Sequence, residues 1–257
     1  MRVISVDLGW KTDTHRNAVV VSDHRGNVLY WDFRCGDEEI LDVVQQYAMN
    51  GTRVLLDIPV EGCEGLGKAQ SFRPIDYALL KNRISLYPSV RAGMRGASLK
   101  QQVTDRCAGR DVVVLEIYPY ALYKFLSFLE KYGKLTELSG GEPALLLDRD
   151  FKAFRTCKYK NVKSHEQRAG LRYLKSLLEQ PALGLRFGER SLPPVVPPLA
   201  YLTDLYDAGL GAIAGVLLLR GSPYARVFGD KSNGEMLLLA DKWLAEQIND
   251  NLPNTRA

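Results

Sequence analysis

Three apolar runs in the chain each end in a carboxylate: Val3-Ile4-Ser5-Val6-Asp7, Val54-Leu55-Leu56-Asp57 and Val112-Val113-Val114-Leu115-Glu116. Short runs rich in β-branched residues read as buried strands, and parallel α/β sheets place binding groups at the carboxyl ends of such strands. If the three strands run parallel, Asp7, Asp57 and Glu116 share one edge. Later in the chain Asp204 and Asp207 stand three apart in a Gly/Ala-rich helical stretch, on one side of the helix, where both could face that edge. Clustered carboxylates raise one another's pKa values and oppose folding unless a cation compensates them. An oxygen-only donor set suits Mg²⁺ or Mn²⁺. Two such ions about 4 Å apart stabilise both the attacking water and the leaving oxygen of phosphodiester cleavage. The expected metal ligands are therefore Asp7, bridging two ions, with Asp57, Glu116 and Asp207; Asp204 is the alternative terminal acid. Each has a plainer role. Asp7 and Asp57 suit turns, Glu116 a solvent-facing strand end, and Asp204 and Asp207 a first helical turn that meets the helix dipole.

The elements that must hold these acids follow from periodicity and punctuation. Arg2 to Gly9 reads as a strand, and Ala18 to Ser22 with Val28 to Phe33 as a hairpin across Asp23-His24-Arg25-Gly26-Asn27, whose Gly and Asn allow positive φ. Glu38 to Met49 has helical spacing and leads through Gly51 to the strand Arg53 to Ile58. Pro74 opens a helix toward Ile84, and Ser98 caps another that runs to about Cys107, before the strand Val112 to Ile117. Helices are expected over Tyr120 to Lys131, about Ala144 to Phe154, His165 to Leu178 and Tyr201 to Arg220, with Pro193 to Pro198 a stiff connector. A closing hairpin pairs Ala225 to Phe228 with Met236 to Leu239, and a helix runs to about Asn249. The expected fold is α/β: a five-stranded mixed sheet of order 3-2-1-4-5 with helices on both faces. It forms a single domain over 1–257, with a helical insertion around 120–200 and a C-terminal hairpin plus helix.

Composition bounds the rest. At 257 residues, 46% hydrophobic, the chain can bury a substantial core. Cys35, Cys63, Cys107 and Cys157 are scattered without a Cys-x-x-Cys pair, which argues against a zinc knuckle or a disulfide framework and for a reducing compartment. The N-terminus enters a strand directly, and Ala208 to Leu219 is too short to span a bilayer, so the expectation is a cytoplasmic protein without a membrane partner. His15, His24 and His165 form no metal-spaced set. The net charge of +4 is modest, but Arg149 to Lys175 holds nine basic residues against Asp150 and Glu166. Phe151, Phe154, Tyr159 and Tyr173 are interleaved with them. This mixture suits phosphate contact with base stacking, or equally a solvated helical face with its aromatics turned inward.

These residues, taken in order, resemble the predicted nucleases grouped as the domain of unknown function 429 family, which have a ribonuclease H-like fold. The resemblance rests on Val6-Asp7-Leu8-Gly9, Leu56-Asp57-Ile58-Pro59, Phe72-Arg73-Pro74-Ile75-Asp76 with Arg83 and Ser89-Val90, and Leu115-Glu116-Ile117-Tyr118-Pro119. It continues through Asp204-x-x-Asp207 with its Gly/Ala-rich helix, then Val227-Phe228-Gly229-Asp230 and Gly234. It implies metal-dependent cleavage of DNA or RNA. Glu116, on a strand, would fill the role of the helix acid of ribonuclease H. Trp10 to Arg16 is longer and more polar than the short glycine-rich turn of the family, and it brings Lys11 near Asp7 to meet phosphate. Arg73 and Arg83, on one expected helix, are further phosphate-holding candidates, with Arg73 and Asp76 a surface pair worth little; Lys158 and Lys160 complete the set. A protein that keeps the fold but only binds nucleic acid is the alternative. Asp7-Leu8-Gly9-x-x-Thr12 also resembles the first phosphate loop of sugar kinases and actin-like ATPases, but no second Asp-Gly-Thr-like loop follows.

Overall fold

Strand β1 (Arg2–Asp7) pairs antiparallel with β2 (Arg16–Asp23), and β2 with β3 (Val28–Cys35). The computed structural model of the chain describes residues 1–9, 16–64, 66–67, 70–86, 88–89, 94–140, 148–188, 191–232 and 234–252. In the β2–β3 turn Gly26 alone takes the positive φ, +78°. Asn27 acts instead through its backbone N–H, which donates to the Asp23 carboxylate at 2.9 Å. Helix α1 (Gly36–Tyr47) crosses to β4 (Thr52–Leu56), which lies parallel to β1. Helices α2 (Pro74–Lys81) and α3 (Arg95–Arg106) lead to β5 (Val112–Ile117), parallel to β4. Ser98 lies inside α3 and is not its cap. The helix begins sooner, where a Cβ on Gly96 would stand 1.9 Å from the Pro59 carbonyl oxygen.

The insertion holds α4 (Pro119–Lys131), α5 (Asp148–Ala153) and α6 (Ser164–Leu178), and is followed by the long α7 (Leu199–Leu219). Strands β6 (Ala225–Phe228) and β7 (Met236–Leu239) form the expected hairpin, and α8 (Lys242–Asn249) closes the order, capped by Asp241, which accepts the Leu244 N–H at 2.8 Å. The sheet has seven strands in the order β3-β2-β1-β4-β5-β7-β6. Its first five follow the expected order, and the hairpin extends it through β7, parallel to β5. All four residues of the Met236-Leu237-Leu238-Leu239 run are buried, as in a strand covered on both faces.

Alternation along the strands divides the core between the two faces. Val3, Leu55, Leu115 and Ile117 point into one core with α4, α6 and α7; Ile4, Val6, Val54, Leu56 and Val114 point into the other, beneath α1 and α3. Helix α7 is long and apolar enough to cross a membrane by length and composition, so Ala208 to Leu219 understates it, yet it is mostly buried within the fold. Its backbone lies directly on the sheet. A Cβ on Gly215 would come 2.5 Å from Val3 Cγ1, and one on Gly211 would come 2.2 Å from Ser5 Oγ. Only glycine allows that approach, and it sets the register of α7 along β1.

Candidate metal centre

That register brings the acids together. Four helical residues rise about 6 Å and two strand residues about 7 Å, so the steps Gly215 over Val3 and Gly211 over Ser5 continue to Asp207 over Asp7. Asp57 follows β4, and its backbone N–H donates to the Val6 carbonyl at 3.0 Å, carrying the parallel ladder one residue past the strand and setting Asp57 beside Asp7. Each of Asp7, Asp57 and Asp207 offers a carboxylate oxygen within 4.8 Å of the others. Asp207 is fully buried and Asp7 nearly so. Asp204, one turn before Asp207, hydrogen-bonds Asp7, as does Asp57. Both acids of α7 therefore reach Asp7. Neither is in a first helical turn, because α7 begins at Leu199, so the dipole role expected of them does not apply.

The electrostatics are those of too many acids in too little water. Burial, then the Asp7 charge and a hydrogen bond to Asp7, holds the Asp57 carboxyl well above the ordinary range. Burial and the Asp7 charge push Asp204 up to about 8. Burial raises Asp207 to about 6, with Lys160 pulling the other way. The Lys160 ammonium ion-pairs with Asp207 while the side chain stays 43% exposed, so its stem reaches in from the surface. Burial lowers the Lys160 pKa, but the charges of Asp207, Asp7 and Asp57 outweigh it and hold the amine charged. Tyr159 donates its hydroxyl to Asp207 Oδ1 at 2.7 Å. The link that delivers both residues is fixed by α6, where a Cβ on Gly170 would meet the Lys158 carbonyl oxygen at 2.1 Å.

No protein-family model, curated protein or solved structure matches this chain. The site is thus read from its own geometry. Hard oxygen donors converging from two strand ends and one helix, with protons held between them, fit Mg²⁺ or Mn²⁺.

Glu116 does not join this group. It stands in register with Leu56, whereas Asp57 is one residue further, so its side chain points to the opposite sheet face. There it accepts both Arg73 terminal nitrogens at 2.6 Å. Arg73 also donates Nε and Nη2 to Asp76 at 3.2 and 2.9 Å, and Nη1 to the Glu61 carbonyl at 3.0 Å. All five guanidinium N–H groups are engaged, which leaves none to hold a substrate phosphate. The expected surface pair of Arg73 and Asp76 is instead a buried network, each residue 1% exposed, which Ser89 completes by donating to Asp76 at 2.6 Å. Burial raises the Glu116 pKa against the pull of Arg73.

The remaining cations divide. Arg83 lies beyond the end of α2 at φ +58°, exposed, and is not among the residues lining the cavity beside the acids. Lys158 lines that cavity; Lys11 lies outside the described residues. The aromatics interleaved with the basic segment turn inward. Phe151 and Tyr159 are buried, and Tyr123 takes Tyr159 and Tyr173 edge-on at 5.0 and 6.0 Å, so they are not a stacking platform. Sequence reasoning missed Tyr159 as a partner of Asp207, and it paired Arg73 with Asp76 at the surface without the buried capping box that the two form. The spacing Arg73-Pro74-Ile75-Asp76, with a carboxylate at the third helical position facing back to the cap, was the available sign of the latter.

Proposed function

We propose that the chain is a metal-dependent nuclease, its first five strands arranged in a ribonuclease H-like manner, with Asp7, Asp57, Asp204 and Asp207 as its centre. The observation that carries this reading is the convergence of Asp7, Asp57 and Asp207 within 4.8 Å at the carboxyl ends of parallel strands. The resemblance to the domain of unknown function 429 family points the same way. Bound among these residues, Mg²⁺ or Mn²⁺ would supply Lewis-acid polarisation of a phosphodiester and activation of the attacking water. The chain's own groups do the rest. Tyr159 orients Asp207 by donating to Oδ1, Lys160 offsets part of the negative charge, and the exposed Lys158 meets substrate phosphates at the cavity wall. One observation favours a second reading, a protein that binds nucleic acid without cutting it: Lys160 already supplies a cation to Asp207.

A labelled panel of single-stranded and duplex DNA, RNA, RNA–DNA hybrid and a four-way junction, incubated with Mg²⁺, Mn²⁺ or chelator, tests the proposal. Cutting that requires metal and falls about a thousandfold in Asp7→Asn is the expected result. Salt-sensitive binding without cutting would favour the second reading, and cutting by Asp7→Asn at the parent rate would contradict the site.

A further inference from the structure

The cavity beside the acids has a second character. Its volume is about 450 Å³, and beyond Asp57, Asp207 and Lys160 its wall is formed by Ile58, Pro119, Met236 and the rings of Tyr118 and Tyr120. The two rings meet nearly edge-on with centroids 6.4 Å apart. Tyr118 is held from behind, its hydroxyl donating to the Ser85 carbonyl at 2.5 Å, and burial pushes its pKa up, so it stays a neutral donor. Both tyrosines are half-buried and line the cavity. Arg73, Asp76 and Glu116 line the same space, but their donors and acceptors are engaged with one another. What the cavity offers a ligand is therefore flat and apolar at one part of its wall and anionic, cation-binding at another.

The volume lies in the range of small-ligand pockets, roughly 300–1,000 Å³. A nucleotide matches both chemistries at once, because its base and its phosphate are joined through a single sugar. Asp57 and Asp207, where a phosphodiester would sit, line the same cavity as Tyr118 and Tyr120, so one nucleotide could present its phosphate to the acids and its base to the tyrosines. A base still paired in a duplex cannot enter; one that is unpaired, or extruded from the stack, can. We propose that the cavity is a nucleobase subsite that takes one unstacked nucleotide next to the scissile phosphate. The substrate class is then nucleic acid carrying an unpaired nucleotide at the cut, not uniform duplex. The position of the phosphate rests on the nuclease reading; the aromatic wall does not.

The test uses the full chain and three otherwise identical hairpins, made as DNA and as RNA, that differ at one position: a paired base, an unpaired base, or an unpaired abasic site. Binding is measured with Asp7→Asn and cleavage with the parent protein. The unpaired base should bind about tenfold more tightly than either other hairpin, the scale of one base stacked on an aromatic ring. Tyr120→Ala should erase that preference and Tyr120→Phe, which keeps the ring, should retain it. Equal binding of the abasic and base-containing hairpins, or an unchanged preference in Tyr120→Ala, would overturn the subsite. Equal cutting of all three by the parent would overturn it while the nuclease reading stands. A base-dependent preference without any cutting would support the subsite and remove the nuclease reading. Binding of none would overturn both.

Discussion

Two buried charge clusters lie side by side under one cavity, and they are built on opposite plans. In the first, Arg73 faces Asp76 and Glu116; every guanidinium N–H is used, Ser89 adds a donor, and the geometry is bidentate toward Glu116. In the second, Asp7, Asp57, Asp204 and Asp207 share, among the described residues, one ammonium from a partly exposed lysine, and three of the four carboxyls titrate above their ordinary range. Buried charge is tolerated where partners saturate it. The Arg73 cluster meets that condition internally and ties α2 to β5. The aspartate cluster sets four carboxyls against one ammonium among the described residues, a balance that a bound cation would offset. Saturation, more than the presence of acids, separates a structural cluster from a candidate centre.

The largest expected effect breaks the first cluster. Arg73→Met leaves Glu116 and Asp76 buried without their partner and should cost about 3–5 kcal/mol, lowering Tm by roughly 10 °C in thermal unfolding. The same substitution should leave Mn²⁺ affinity, measured on the folded protein, close to that of the parent. A loss of stability below about 1 kcal/mol would mean that the cluster is not structural. Lys160→Met acts on the second cluster. It removes the resident ammonium and should tighten Mn²⁺ binding about tenfold by calorimetry; weaker binding would mean that Lys160 helps to hold the site open for a cation.

The smallest effect is in the pH dependence of the metal-free protein. The Asp204 carboxyl, at about 8, and the Asp207 carboxyl, at about 6, lie above their ordinary value of 3.8. The folded chain therefore binds more protons than the unfolded one, so this contribution to stability is complete below pH 4 and is lost as pH rises through 6 to 8. Thermal melts in chelator should show Tm falling over that window. Added Mg²⁺ should reduce the fall, as should Asp204→Asn. A Tm that rises with pH through the window, in both the parent and Asp204→Asn, would contradict the assignment.

The sequence carried the strands further than the side chains. The apolar runs ending at Asp7 and Asp57 read directly as parallel strands, and the order of the first five strands followed from hairpin punctuation and crossovers. Glu116 was legible as a strand-end acid but not as one on the wrong face. A one-residue difference in where the acid falls along β5 reverses its side chain, and register is not visible in a single strand. The start of α7 is legible to within two residues, at Tyr201 against Leu199, yet the polar pair Asp204 and Asp207 looks like a first turn, which that start excludes. In fact the spacing of Asp207, Gly211 and Gly215 places that acid, a four-residue stripe that becomes meaningful only against Val3 and Ser5. For the basic segment composition leaves two readings equal, and the one with its aromatics turned inward is what the fold shows, because Phe151 and Tyr159 pack against α4.

Mn²⁺ binding by the parent, Asp7→Asn and Glu116→Gln, followed by electron paramagnetic resonance on folded protein, tests the contrast between the clusters most directly. The aspartate centre predicts that the parent binds Mn²⁺, that Asp7→Asn loses the affinity about a hundredfold or more, and that Glu116→Gln binds like the parent. Loss of Mn²⁺ in Glu116→Gln with retention in Asp7→Asn would place the cation in the other cluster and contradict the account.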